Sequence, residues 1–297
     1  MKMNGIKKFI IALLIFSLSG CILSCGYMQN GIQDSEGAWP VTEPGLEPLP
    51  EGVLIPEDSI LTEEEISNLD SKPITWGPGR ILDGQGRPEA CVNLQSQYGK
   101  YSSWFIGEEE KIIYLTFDEG YENGFTAQIL DTLKEKKVSA IFFVTMDYVK
   151  NEPQLIQRMI DEGHIVGNHT THHPNMTKLS IQEAKQEVQE LHEYVYENFG
   201  YEMTLYRAPE GAISEQSMAL IQSLGYQNVL WSFAYQDWNV NQQMDPELAL
   251  KKAVESVHPG AIYLFHAVGK TNAVIMDEFI QRVQDQGYKF GNWEEWK

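Results

Sequence analysis

The stretch Tyr114–Gly124, YLTFDEGYENG, decides how the rest of the chain is read. An apolar run, Tyr114-Leu115-Thr116-Phe117, ends abruptly in two adjacent carboxylates, Asp118 and Glu119. Successive side chains on a strand point to opposite faces, so these two acids serve one site only if the strand has already ended.

Short apolar runs like this one recur downstream of Lys111 and predict strands at Ile112–Phe117, Ala140–Thr145, His164–Asn168, Thr204–Tyr206, Asn228–Ser232, Ala261–Phe265 and Tyr288–Phe290. Helical patterns lie between them. Phe125, Ile129 and Leu133 recur at every fourth position. Glu152-Pro153 and Asp245-Pro246 open helices with Pro in the first turn, and Ser180 to Glu183 forms a capping box. Gly163, Gly200, Gly225 and Gly287 follow as helix stops. Near-continuous apolar strands alternating with helices imply an α/β fold with a parallel sheet. About seven such strands predict a distorted (β/α) barrel, closed or incomplete.

The chain has 297 residues and a hydrophobic fraction of 42%, enough for a full core. Acids outnumber bases 42 to 22, for a net charge of -20. Nucleic acid is therefore not an expected partner, because phosphate binding needs a cationic face. The first 21 residues read as an export signal: Lys2, Lys7 and Lys8 precede the apolar run FIIALLIF, which is too short for a membrane span. Leu18-Ser19-Gly20-Cys21 resembles a bacterial lipobox, which makes Cys21 the expected lipid acceptor. The protein is then expected on the outer face of the cell membrane, on the cell-wall side. Cys25 and Cys91 remain in an oxidising compartment, and whether they pair is open. Eight of the 13 prolines lie between Pro40 and Pro88, and residues 22–75 read as an acidic, disordered tether. Residues 76–108 are expected to pack on the barrel as an extension of a catalytic domain at 109–297.

Polar chemistry recurs at the predicted C-terminal strand ends. Asp118 and Glu119 follow the first strand, and Asn168-His169-Thr170-Thr171-His172-His173 the third. Arg207-Ala208-Pro209-Glu210-Gly211 ends the fourth, the fifth leads to Asp237-Trp238, and His266 ends the sixth. In a parallel barrel these ends share one face, where such enzymes place their sites. His169 and His173 are four apart, so a helical turn would let both hold one metal ion, with His172 pointing elsewhere. A surface polar turn would give the same spacing.

As a set, TFDEG, HTTHH, RAPEG, Asp237-Trp238 and Leu264-Phe265-His266 resemble the five motifs of NodB-type polysaccharide deacetylases, carbohydrate esterase family 4. The resemblance covers about residues 109–297. The flanking IYLTFDEGYENG, SFAYQDW and LFHAVGKTNA are similar to the delta-lactam-biosynthetic de-N-acetylase subfamily, which implies action on muramic acid of spore cortex peptidoglycan. The resemblance implies Asp118 as general base and His169 and His173 as ligands of a divalent metal, zinc first. It implies Arg207 tuning Asp118, and Asp237 tuning His266 as general acid. Trp238 and Leu264 would line the acetyl pocket, and the Glu210 N–H would bind the oxyanion. Glu119 stands where many relatives have an aspartate as third metal ligand, and it is carried as a candidate ligand on a longer arm. Glu210 would repel the lactyl carboxylate of muramic acid, and Lys270 is the candidate counter-charge.

The chemistry fits these residue types. A divalent ion lowers the pKa of its water from 15.7 to about 7 and polarises a carbonyl. A departing amine needs an acid titrating near neutrality, and histidine, at about 6.5 unperturbed, suits. Other readings remain open: a deacetylase of N-acetylglucosamine, chitin or xylan, and a carbohydrate-binding lipoprotein with a decayed site.

Overall fold

The computed structural model describes residues 60–293. The export signal, Cys21, Cys25 and the tether up to residue 59 lie outside the described residues. Among the described residues nine parallel strands form one sheet: β1 (Ser103–Trp104), β2 (Ile112–Glu119), β3 (Ile141–Val144), β4 (Ile165–Asn168), β5 (Leu205–Tyr206), β6 (Gln227–Val229), β7 (Phe233–Ala234), β8 (Ala261–His266) and β9 (Lys289–Phe290). The pairing order is β1-β6-β5-β4-β3-β2-β8-β7, with β9 on β2. The path runs from β1 to β7 without joining them, so the barrel is open. All seven predicted strands are present, and β1 and β7 are additions.

Side-chain alternation divides the core in two. Tyr114, Ile141, Phe143, Ile165, Leu205, Val229 and Ile262 fill the inside of the curved sheet with Trp293. Ile113, Leu115, Phe117, Phe142, Val144, Val166, Tyr263 and Phe265 face outward into the larger core beneath the helices. In chain order the helices of the described residues are α1 (Glu63–Ser67), α2 (Glu89–Tyr98), α3 (Thr126–Lys136), α4 (Met146–Asn151), α5 (Pro153–Asp161), α6 (Ile181–Phe199), α7 (Glu215–Ser223), α8 (Pro246–Glu255) and α9 (Lys270–Asp285). The Ser180 capping box opens α6, and Gly200 ends it at φ 62°. Gly167 matters for the site: a Cβ there would stand 2.5 Å from the Phe143 ring, on which the Arg207 guanidinium sits 4.2 Å from the centroid.

One domain boundary is corrected. The expected tether does not extend through residue 75. Thr62 and Glu65 form a capping box that opens a short helix, Glu63–Ser67, whose Ile66 is buried against α7. The Ile74 N–H then donates to the Ile213 carbonyl, and Trp76 Nε1 to the Gly211 carbonyl. The 76–108 segment is also more than an outer layer, because β1 within it pairs with β6 and becomes an edge of the sheet. Cys91 is fully buried, and burial pushes its thiol up to about 12.

His164, at the start of β4, is 4% exposed, and burial lowers its imidazole to about 4. Its Nδ1 accepts the Ala140 N–H, so it folds neutral. The unfolded chain binds a proton there below about 6.5, and the native state does not. This group therefore contributes stability above that pH and loses it as pH falls towards 4. His164→Gln should flatten the dependence of unfolding free energy on pH by roughly 1.4 kcal/mol per pH unit over that window. Urea titrations at several pH values measure this, and an unchanged slope would mean that His164 is charged when folded.

Candidate active site

The C-terminal end of β2 carries Asp118 on the inner face, in register with His266 at the end of β8. Asp118 is 7% exposed, and its Oδ1 accepts from Arg207 Nη1 at 2.8 Å. Arg207, just past β5, is wholly buried and spends its donors on four bonds. Nη1 also reaches Thr116 Oγ1 at 2.7 Å, Nε the Val229 carbonyl at 2.8 Å, and Nη2 the Leu230 carbonyl at 2.9 Å. Burial alone would raise the Asp118 carboxyl. Arg207 foremost, then His169 and His266, outweigh it and hold it below the usual carboxylate range.

His169, just past β4, brings Nε2 to 3.5 Å from Asp118 Oδ2. Its Nδ1 lies 2.8 Å from the Arg207 carbonyl, which fixes that nitrogen as the donor and leaves the Nε2 lone pair free. Burial lowers its imidazole to about 4 despite the Asp118 charge, so it stays neutral and able to ligate. His173 is brought beside it, with ring centroids 4.8 Å apart. The pair does not come from the expected helical turn. The connection is an irregular turn with Thr170 at φ 71° and His173 at φ 55°. Asn168 Oδ1 holds it by accepting the Thr170 N–H, and Thr170 Oγ1 accepts the His173 N–H. His172 is turned to Glu187, with Nδ1 at 2.8 Å from Oε1.

Asp237 is 1% exposed and Oδ1 lies 2.8 Å from His266 Nδ1. Burial works against the charged imidazole. The hydrogen bond and charge of Asp237, with the Asp118 charge, outweigh it and raise His266. His266 Nε2 is thereby left for the site. Trp238 is 54% exposed, its ring centroid 5.9 Å from that of His266. Leu264 lies two residues before His266, on the same face of β8.

Glu119 does not join this group. β2 continues through Glu119, so its side chain falls on the Phe117 side of the strand, away from Asp118. It is fully buried, and both carboxylate oxygens lack a hydrogen-bond partner. Burial first, then the charges of Glu122, Asp118 and Asp237, push its carboxyl well above the usual range. Among the described residues no three His, Cys, Asp or Glu side chains are close enough to hold one ion. The donors that suit a divalent metal are thus the two imidazoles, His169 with its free Nε2. Glu210 sits at φ 58° with its carboxylate turned to Asn175 Nδ2 at 3.4 Å. Lys270 is exposed and, instead of lying in a loop, is the first residue of α9. Thr116 and Asn168 carry no charge or catalytic signature in the sequence, yet one anchors Arg207 and the other shapes the histidine turn.

The profile of the polysaccharide deacetylase family matches residues 106–229. The peptidoglycan-N-acetylmuramic acid deacetylase PdaA of Bacillus subtilis (strain 168) is 44% identical over 224 residues, 75% of this chain and 85% of PdaA. The chain belongs to the polysaccharide deacetylase family. The structure of Bacillus subtilis PdaA, a family 4 carbohydrate esterase, matches with a TM-score of 0.72 and 42% identity, covering 76% of this chain and 97% of that one. A peptidoglycan-N-acetylglucosamine deacetylase, PgdA of Listeria monocytogenes serotype 1/2a (strain 10403S), is 36% identical over 180 residues, 61% of this chain and 37% of PgdA. As a polysaccharide deacetylase the protein is a hydrolase of amide carbon–nitrogen bonds. Deacetylases of this family are generally metal-dependent.

His169→Ala and His173→Ala should each deplete the bound metal of the purified deacetylase, with His169 costing more because its orientation is fixed by Arg207. Elemental analysis checks this, and wild-type metal content in both variants would remove the pair as ligands.

Proposed function

We propose that this deacetylase removes the acetyl group from N-acetylmuramic acid in peptidoglycan. The observation that carries the reading is the pairing of a buried, ionised Asp118 with an Asp237-backed His266 across neighbouring strand ends, in a chain 44% identical to PdaA. A divalent ion held by His169 and His173, zinc as first expectation, would polarise the acetyl carbonyl and acidify the attacking water. Asp118 takes the proton of that water, and Arg207 keeps it ionised for the task. His266 Nε2 gives a proton to the departing amine, which leaves poorly otherwise. Trp238 and Leu264 flank the acetyl methyl, and the Glu210 N–H adds to oxyanion binding. Activity should therefore hold down to mildly acid pH, where Asp118 is still ionised. It should fall as pH rises through a His266 titration above the ordinary 6.5.

The lactyl carboxylate of a peptide-free muramic residue would meet Lys270 at the rim. Once the acetyl group has left, the new amine and the lactyl carboxyl of one sugar are close enough to condense to a lactam, the carboxyl C–OH bond breaking with loss of one water, here or in a later step. Such proximity is worth roughly 7–11 kcal/mol when geometry allows. Glu210 favours a second reading, because its exposed acid would oppose that carboxylate, and N-acetylglucosamine carries none. Glycan strands with and without stem peptides, digested after treatment and analysed by mass, separate the two. Deacetylation at peptide-free muramic acid supports the first, and deacetylation only at glucosamine overturns it. The proposed setting is the outer face of the membrane, with Cys21 lipidated after removal of the export signal. Loss of the membrane-bound fraction in Cys21→Ala tests that placement.

A further inference from the structure

We propose that Asn272, itself held by Tyr235, is a positioning residue that locks Asp237 and His266 into the geometry for proton donation. The proposal rests on the reading of His266 as general acid. Asn272 lies in the first turn of α9 and is fully buried. Its Nδ2 donates to Asp237 Oδ2 at 2.6 Å and to the His266 carbonyl at 2.9 Å, which uses both amide hydrogens. Its Oδ1 accepts from the Tyr235 hydroxyl. Asp237 Oδ2 also accepts the His266 backbone N–H at 2.9 Å, while Oδ1 takes the ring Nδ1–H at 2.8 Å.

The protons run from Tyr235 through Asn272 to Asp237, with the second amide hydrogen on the His266 carbonyl. The Asp237 carboxylate and the His266 carbonyl, which only accept, fix which way the Asn272 amide faces, and the Tyr235 hydroxyl then donates to its Oδ1. A reversed amide would set Oδ1 against the Asp237 carboxylate and the His266 carbonyl, three acceptors with no proton between them. With Asn272 so fixed, Asp237 holds both its oxygens towards His266 and the imidazole keeps its proton on Nδ1. Nε2 then faces the reaction. The segments that meet here are 35 residues apart for Asp237 and Asn272, and 37 for Tyr235 and Asn272. The charged groups facing His266 are Asp237, Asp118 on β2 and Arg207 beyond β5. Glu119 and Tyr235 also lie within reach of the Asp237 charge.

The test compares full-length wild type, Tyr235→Phe, Asn272→Leu and His266→Gln by acetate release from glycan strands. His266 is also followed by NMR titration without substrate. Tyr235→Phe should fold and lower kcat by about ten-fold with KM unchanged, the effect of one lost hydrogen bond. Asn272→Leu should lower it further, by about a hundred-fold. In both, the His266 midpoint should rise, because Asp237 is left with a less firmly held Asn272 donor in Tyr235→Phe and with none from that position in Asn272→Leu, and so binds the imidazolium more strongly. Wild-type kcat and midpoint in Tyr235→Phe would overturn the proposal. So would a fall in kcat with an unmoved midpoint, which is what loosened packing alone would give. If Asn272→Leu does not fold, Tyr235→Phe decides alone. Undiminished kcat in His266→Gln would instead sink the general-acid reading, a result separable from the others because the NMR midpoints need no turnover.

Discussion

Asp118→Asn should lower kcat by about a hundred- to ten-thousand-fold, the range expected when a general base is removed. The change keeps the side chain's shape and one acceptor oxygen, so the bond from Arg207 Nη1 has a partner still. What is lost is the ability to take a proton. The effect should fall on kcat, with little change in KM, because proton acceptance is realised only in the transition state. Metal content should stay near wild type, since the His169 ring is fixed by the Arg207 carbonyl and not by Asp118 alone. Steady-state kinetics with elemental analysis of the same sample checks both parts. A variant with full activity would remove Asp118 from the mechanism.

Arg207→Met should unfold at a temperature lower by roughly ten degrees, and its activity should collapse. Arg207 is fully buried, with four hydrogen bonds and the Phe143 ring beneath it. Removing one partner of a buried pair costs about 3–5 kcal/mol because the other charge is left uncompensated. In a domain of this size each kcal/mol moves the midpoint by roughly 2–4 °C. The Asp118 carboxyl, no longer held down, should titrate at higher pH, and the acid limb of the activity profile should move up with it. Arg207→Lys should restore the charge but not the bonds to Val229 and Leu230, because an ammonium lacks the planar fork. The double variant Asp118→Asn, Arg207→Met should lose less stability than the two single losses added together, since the partners are in contact. Thermal melts of the four proteins measure this, and full additivity would contradict the pairing.

Five strands were legible as apolar runs that stop at polar residues, and the two-residue β5 and β9 because they follow the helix stops Gly200 and Gly287. β1 and β7, just as short, follow no such helix stop and exist as strands only through their neighbours β6 and β8. The helix at Glu63–Ser67 was written in its capping box, but three consecutive glutamates suggested a solvated spacer, and the burial of Ile66 is a tertiary fact. Asp118, Arg207, Asp237 and His266 could be placed from motifs because their roles follow from charge and order along the chain. Glu119 could not, because one further residue of strand decides which face it takes. The histidine turn was misread for a related reason. A spacing of four suits a helix, yet here Thr170 and His173 adopt left-handed backbone held by Asn168. Asn272 and Tyr235 were visible within GKTNA and FAYQDW, but their contact is long-range and no local pattern announces it.

In the proposed reaction the Asp118–Arg207 and His266–Asp237 pairs, working with a metal that His169 and His173 would hold, hydrolyse the acetamide of muramic acid. The most direct measurement is acetate released from peptide-free glycan strands by the wild type, by the metal-stripped protein and by the same protein after zinc is restored. Release by the wild type, its loss on stripping and its return with zinc, with the missing acetyl groups mapped to muramic acid by mass, is the predicted result. Undiminished release from the stripped protein, or release mapped only to glucosamine, would contradict the account.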